Sequence, residues 1–270
     1  MSEGQRQVVI VTGATFGIGR AITLVLARRG FQVVGFGLES RQPSSVAENA
    51  IGPLQAELKG EGLAVDLMEA DVSKANDVAK VVDFTVKKYG KVDALVSNAA
   101  IGPLGTVLDT TEDLWDRVID VNLKGAYLSS RAVLPYMIKQ GGGSIVIVGS
   151  GSGYGKPNMA AYAASKGGLL ALASAMAYDH FQDHIRVNTV IPGGGGIVSG
   201  MSVGRVGGDP ANLDKTAPGT AAGRVATGED LANAVAFLLS DDATVISGTV
   251  IDVGCFAAQG GPIPRKQVTN

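Results

Sequence analysis

Short runs of β-branched and aliphatic residues alternate with segments of helical periodicity along nearly the whole chain. The candidate strands are Val8 to Thr12, Phe31 to Phe36, Leu63 to Ala70, Val92 to Val96, Ser144 to Gly149, Ile185 to Val190 and Val245 to Val253. Most lack the apolar–polar alternation of a half-exposed strand, so they read as strands buried on both faces of a parallel sheet. Between them, Ile22, Leu24, Val25 and Leu26 mark a helix after Gly19, and helical patterns follow at Leu54 to Lys59 and Asn76 to Tyr89. Thr111 to Ile138 reads as one long helix or two joined ones. Met159 to Phe181 and Glu229 to Leu239, the latter capped near Thr227, complete the set. Strands alternating with helices throughout predict an α/β, doubly wound, seven-stranded parallel sheet with helices on both faces. Residues 193–225 are rich in Gly, Pro and Ala without periodicity and read as a substrate loop. No linker or internal repeat interrupts the pattern, which predicts one domain over residues 1–270.

Composition narrows the function classes. Hydrophobic residues make up 46% of the 270 but aromatics only 5%, so the core is built from Val, Ile, Leu and Ala. The net charge is −2 with no basic block, which argues against a nucleic-acid partner. The one cysteine, Cys255, has no partner for an internal disulfide, which agrees with a reducing compartment. The start, MSEGQRQ, is polar, and no apolar stretch reaches the roughly 20 residues that cross a bilayer. A cytoplasmic protein with no membrane partner is expected. His180 and His184 stand four apart, but without an accompanying carboxylate motif they suit a helix end better than a metal, and no metal is expected.

Two stretches carry chemistry. Gly13-Ala-Thr15-Phe16-Gly17-Ile18-Gly19 joins the first strand to the first helix. Glycines there let the backbone approach a pyrophosphate, and the helix start offers free N–H groups and a positive dipole end. Tyr162 and Lys166 are four apart in a helical segment and so lie on one face. A phenol beside an ammonium is a proton-transfer pair, because a nearby cation favours the phenolate.

Thr12-Gly13-x-x-x-Gly17-x-Gly19, Asp71-Val72, Asn98-Ala99-Ala100, Asn122, Ser150, Tyr162-x-x-x-Lys166 and Pro192-Gly193 occur in one order that resembles the short-chain dehydrogenase/reductase family, from about Val8 to Val253. The resemblance implies a Rossmann-type oxidoreductase that acts on an alcohol or carbonyl with NAD or NADP. It implies that Gly13, Thr15, Phe16, Gly17, Ile18 and Gly19 cradle the cofactor. Asp71 and Val72 would flank its adenine, and Asn98, Ala99 and Ala100 its ribose side. Tyr162 would be the acid/base and Lys166 its ammonium, both also touching the cofactor. Asn122 would hold a water linking Lys166 to solvent, and Ser150 would bind the substrate oxygen. Pro192 and Gly193 would bound the nicotinamide pocket. After the inserted Gly194-Gly-Gly196, Ile197 and Ser199 align with the stretch that binds the carboxamide. Members often form homotetramers or dimers.

The chain departs from the family in two places. Ser150 stands one residue closer to Tyr162 than the usual interval, which falls on Gly149, so Ser152 remains a second candidate. The selector position at the end of the second strand is Gly37, with Leu38 next to it, and the position before Gly17 is Phe16. None is a cation that would bind a 2′-phosphate, while Glu39 lies within reach of a ribose, so NAD is favoured; the nearby Arg41 keeps NADP open. The competing readings are a non-catalytic dinucleotide-binding regulator on the same fold and a short-chain dehydratase or epimerase.

Overall fold

The computed structural model describes residues 6–39, 51–63, 65–192, 197, 201–202, 207–209, 211–212, 220–222 and 224–254. β1 (Val8–Thr12) is buried at every position. It pairs in parallel with β2 (Gln32–Gly37) on one side and with β4 (Ala94–Ser97) on the other. β3 (Val65–Glu69) lies outside β2. β5 (Gly143–Val148), β6 (Ile185–Ile191) and β7 (Val250–Asp252) extend the sheet beyond β4. The order is β3-β2-β1-β4-β5-β6-β7, and the seven strands are all parallel, which the sequence pattern predicts. The chain moves outward from β1 to β3 and then crosses back to β4. The strand ends at β1 and β4 therefore diverge, which opens a crevice at the carboxyl end of the sheet.

Each central strand sends alternate residues to opposite layers. Val9, Val11, Val146 and Val148 pack with α1 (Gly17–Arg28) and α7 (Gly228–Leu239) through Ile22, Leu26, Leu231 and Val235. Ile10, Phe36, Ile145 and Ile147 face α3 (Ala75–Tyr89), α5 (Gly125–Gln140) and α6 (Ala160–Asp179) through Val81, Val133, Met137 and Leu169. α2 (Ile51–Gly60) joins the first layer through Leu54 and Leu58. This two-sided burial is why the strands read as continuous apolar runs.

One segment differs from the sequence pattern. β7 covers three residues rather than Val245 to Val253. Val245 is exposed, Gly248 takes φ +74, and the Asn188 side chain donates to the Ile246 carbonyl and accepts from Thr249 N–H, so a loop replaces the ladder there. Between Thr111 and Ile138 the chain forms α4 (Glu112–Ile119), a π turn over Asp120–Lys124, and α5 without a break.

α7 is capped as its sequence suggests. Thr227 Oγ1 accepts from Asp230 N–H while the Asp230 carboxylate accepts from Thr227 N–H at 2.7 Å and from Arg224 at 2.6 and 2.7 Å. Thr227→Ala is expected to cost about 1 kcal/mol of stability in denaturant unfolding. An unchanged midpoint would show that Arg224 and Asp230 suffice without it.

Candidate active site

The crevice at the ends of β1 and β4 is a cleft of about 550 Å³. Its floor is the glycine turn. Gly13 and Gly17 take φ of +62 and +53, conformations that side-chain-bearing residues rarely adopt. Gly19 has another reason to be glycine, since an added Cβ would lie 1.9 Å from the Gly13 carbonyl oxygen and 2.5 Å from Asn98 Nδ2. α1 therefore starts hard against the strand end. Phe16 at its N-cap gives no side-chain hydrogen bond, and the first turn holds no acid. The helix start thus keeps its positive end for a ligand.

A clasp between β1 and β4 holds the turn. Thr12 Oγ1 accepts from the backbone N–H of Asn98 and of Ala99, each at 2.9 Å. Asn98 Nδ2 donates to the carbonyls of Thr12 and Gly13, each at 3.1 Å. The structure brings Gly13, Thr15, Phe16, Gly17, Ile18, Gly19, Asp71, Val72, Asn98, Ala99 and Ala100 together around the cleft. Asp71 Oδ1 accepts from the Ser73 hydroxyl at 2.7 Å and from its N–H at 3.0 Å. Burial pushes that carboxyl up, but the Ser73 hydrogen bonds and the Lys74 ammonium outweigh it and hold it below the usual range.

Other expected residues fall elsewhere. Glu39 is exposed and does not line the cleft, whereas Gly37 and Leu38 do. Pro192 is half-buried just after β6. Ile197 is buried within the α1–α7 layer, and its carbonyl accepts from Ser202 Oγ at 2.5 Å. Gly193, Ser199, Arg41 and Cys255 lie outside the described residues. The cleft also uses residues that the motifs do not mark, among them Ile101, Gly102, Arg117, Val121 and Met201. Val121 adjoins Asn122 and lies one turn after Arg117, so helical spacing from Asn122 was the available signal for both. Nothing in the amino-acid pattern of residues 193–225 singles out Met201, whose sulfur packs against Gly102.

At the Gly102 end the cleft reaches α6. A Cβ on Gly102 would be 3.3 Å from the Tyr162 ring. Tyr162 and Lys166 are both buried on one face of α6, with Lys166 Nζ 5.8 Å from the Tyr162 ring centroid. Lys166 Nζ donates to the Val148 carbonyl at 2.8 Å and makes no ion pair among the described residues. Burial pushes its ammonium down to about 8, so it remains largely protonated near neutral pH.

This charge has a cost before any ligand binds. The folded-state value lies below the reference value of 10.5, so the unfolded chain binds more protons between about 8 and 10.5 and stability rises with pH across that window. Near neutral pH the full penalty is present. Lys166→Met should therefore raise the cofactor-free melting temperature there, by the equivalent of roughly 3 kcal/mol less the cost of the orphaned Val148 carbonyl. The advantage should fade as the pH approaches 10.5. Thermal melts across pH check this, and a variant less stable than wild type at neutral pH would contradict it.

After β5, Ser150 Oγ accepts from Ser152 N–H at 3.1 Å and so caps a 3₁₀ turn over Gly151–Tyr154. Ser152 Oγ donates instead to Met159 Sδ at 3.2 Å. The short interval to Tyr162 is accommodated by that turn together with positive φ at Gly155 and Asn158. Asn122, in the π turn, is buried; its Oδ1 accepts from Ile101 N–H at 2.8 Å, and its Nδ2 donates to the Ile101 carbonyl and to Ser165 Oγ, both at 2.9 Å.

A glycine-lined helix start, an apolar slot at Ala70, Val72 and Val121, and a buried phenol–ammonium pair at the far end fit a dinucleotide with its reactive ring toward Tyr162. Comparison with known proteins bears on the family of the chain. The model of the enoyl-(acyl carrier protein) reductase family matches residues 13–255. Dehydrogenase/reductase SDR family member 4 of Bos taurus is 39% identical over 250 residues, covering 92% of this chain and 85% of that protein. The 3-oxoacyl-[acyl-carrier-protein] reductase of Thermotoga maritima is 36% identical over 253 residues, covering 92% and 96%. Among solved structures, levodione reductase superposes with a TM-score of 0.82 at 30% identity, covering 95% of this chain and 99% of that one. Ligand-free aldohexose dehydrogenase of Thermoplasma acidophilum gives 0.79 at 30% identity, covering 97% and 98%.

Proposed function

The chain belongs to the short-chain dehydrogenase/reductase family of oxidoreductases, and from that premise we propose that it interconverts a secondary alcohol and a ketone by hydride transfer with NAD(P), using Tyr162 as acid/base. The observation that carries this reading is the buried Lys166 ammonium beside the Tyr162 ring at the end of a glycine-floored cleft.

A bound nicotinamide would supply the hydride acceptor or donor; the protein's part is binding, orientation and proton handling. A free tyrosine titrates near pH 10, and reaching about 7–8 takes roughly 3–4 kcal/mol of preferential stabilisation of the phenolate. An ammonium held in a dry site supplies a large share, because its field is weakly screened there. Tyr162 Oη then takes the proton of the substrate hydroxyl during oxidation and returns it during reduction. Ser150 Oγ, aimed by its bond from Ser152 N–H, donates to the substrate oxygen as charge develops. Ser152 is the weaker candidate, since its hydroxyl is engaged by Met159. The Asn122 side chain braces Ile101 and Ser165, so the water-holding role that the family resemblance gives Asn122 would fall to its backbone.

NAD is the favoured cofactor, since Phe16, Gly37 and Leu38 offer no charge to a 2′-phosphate. The exposed Glu39 supports this less than its spacing suggests, and Arg117 on the cleft wall keeps NADP a working alternative. Exposed Trp115, Tyr127, Tyr178 and Phe181 support assembly into a homo-oligomer. The test is an absorbance assay at the reduced-nicotinamide band, run with both cofactors against cyclic, aliphatic and aromatic alcohols and ketones. Tight cofactor binding with no turnover across the panel would favour a regulator and overturn the proposal.

A further inference from the structure

Asn122 and Ser165 form a buried bridge between two walls of the site. Ser165 is fully buried on α6, between Tyr162 and Lys166 in sequence, and its hydroxyl donates to the Tyr162 carbonyl at 2.8 Å. The same oxygen accepts one Asn122 Nδ2 hydrogen, while the other Nδ2 hydrogen and Oδ1 hold both backbone groups of Ile101. Ile101 belongs to the loop from Asn98 to Gly102 that lines the cofactor cleft.

The elements carrying this bridge are packed without slack. A Cβ on Gly168 would be 2.8 Å from Leu123 of the π turn, and one on Gly167 would be 3.0 Å from the Gly153 carbonyl. At the other end of the π turn, a Cβ on Gly125 would be 2.9 Å from Val72, itself a cleft residue. α6 therefore approaches the π turn closely enough for a short side chain such as serine to reach Asn122.

We infer that Ser165 is a positioning residue: through Asn122 it fixes the cofactor-side loop at Ile101 relative to the turn of α6 that carries Tyr162 and Lys166. The inference rests on the reading of Tyr162 as acid/base. Removing the hydroxyl leaves a buried Asn122 N–H without its acceptor, which favours reorientation of the carboxamide and frees Ile101. Hydride and proton transfer need the cofactor ring and the phenol in mutual register, and this bridge ties the walls that carry them.

The test is Ser165→Ala, a change that opens little space. Residue-resolved hydrogen exchange should show the Ile101 amide exchanging at least about fivefold faster than in wild type, because its acceptor is no longer anchored. In turnover, kcat should fall about tenfold while KM for the alcohol stays within about twofold, as misplacement of reacting groups predicts. An unchanged Ile101 exchange rate, an unchanged kcat, or a loss confined to melting temperature would each overturn the inference. The exchange experiment needs no activity. If the wild type itself turned over no alcohol or ketone, that would sink the proposed function, and the exchange rate would still decide whether Ser165 anchors Ile101.

Discussion

Tyr162→Phe is expected to lower kcat by about a thousandfold while leaving cofactor affinity within about twofold. The substitution removes one oxygen. The ring stays buried on α6, so its packing against the Gly102 end of the cleft and its contact with Lys166 persist. The lost group is the one that carries the proton between substrate and protein, and no other acidic or basic side chain in the described site is as well placed. Lys166 Nζ donates to Val148 behind it, and Ser150 Oγ accepts from Ser152 N–H. Fluorescence titration of NADH or NADPH, beside turnover on whichever alcohol the screen identifies, separates binding from chemistry. Turnover within tenfold of wild type would remove Tyr162 from its role. Equal loss of binding and turnover would make it a wall of the cofactor site instead.

Gly19→Ala should be the most damaging small substitution in the cleft. The new methyl carbon would sit 1.9 Å from a backbone oxygen and 2.5 Å from an amide nitrogen hydrogen-bonded to that same oxygen. Neither is the end of a flexible chain. Gly13 is held by Asn98, and Asn98 by Thr12, so relief requires α1 to tilt off the strand end. Overpacking of this kind typically costs 1–3 kcal/mol or more. Here it also moves the helix start away from its ligand, so cofactor affinity should fall by a hundredfold or more, beyond the simple stability loss. Gly60→Ala is the control. It closes α2, meets nothing within 4 Å, and should leave binding unchanged. Comparable affinity for the two variants would mean that the glycine turn does not bind the cofactor.

Features that follow from local physics were visible in the amino-acid sequence. The glycine turn could be placed because backbone conformation and close approach are written in which residues lack a side chain. The seven-stranded parallel sheet followed from apolar runs alternating with helices, and the α7 cap from Thr227 and its neighbours. What the sequence did not carry depends on packing between distant segments. Glu39 has the right spacing for a ribose, yet β2 ends so that Leu38 meets the cleft and Glu39 faces water. Ile197 aligns with a cofactor contact but packs among α1 and α7. Lys166 is recognisable by its interval from Tyr162, whereas its burial, which lowers its proton affinity, emerges only once β5 is folded beneath it.

The π turn between α4 and α5 sets a phase. A helical residue advances about 100° around its axis, so one extra residue absorbed without a break rotates everything before it by that angle relative to everything after. Arg117 and Val121 face the cleft and Asn122 faces α6 because of that offset. Deleting a single residue from Asp120–Lys124 would therefore yield a more regular helix and a scrambled protein, with α4 turned away from the cofactor and the carboxamide turned away from Ser165. Homologous chains that keep this site should vary freely in the composition of α4 and α5 but not in the count of residues joining them.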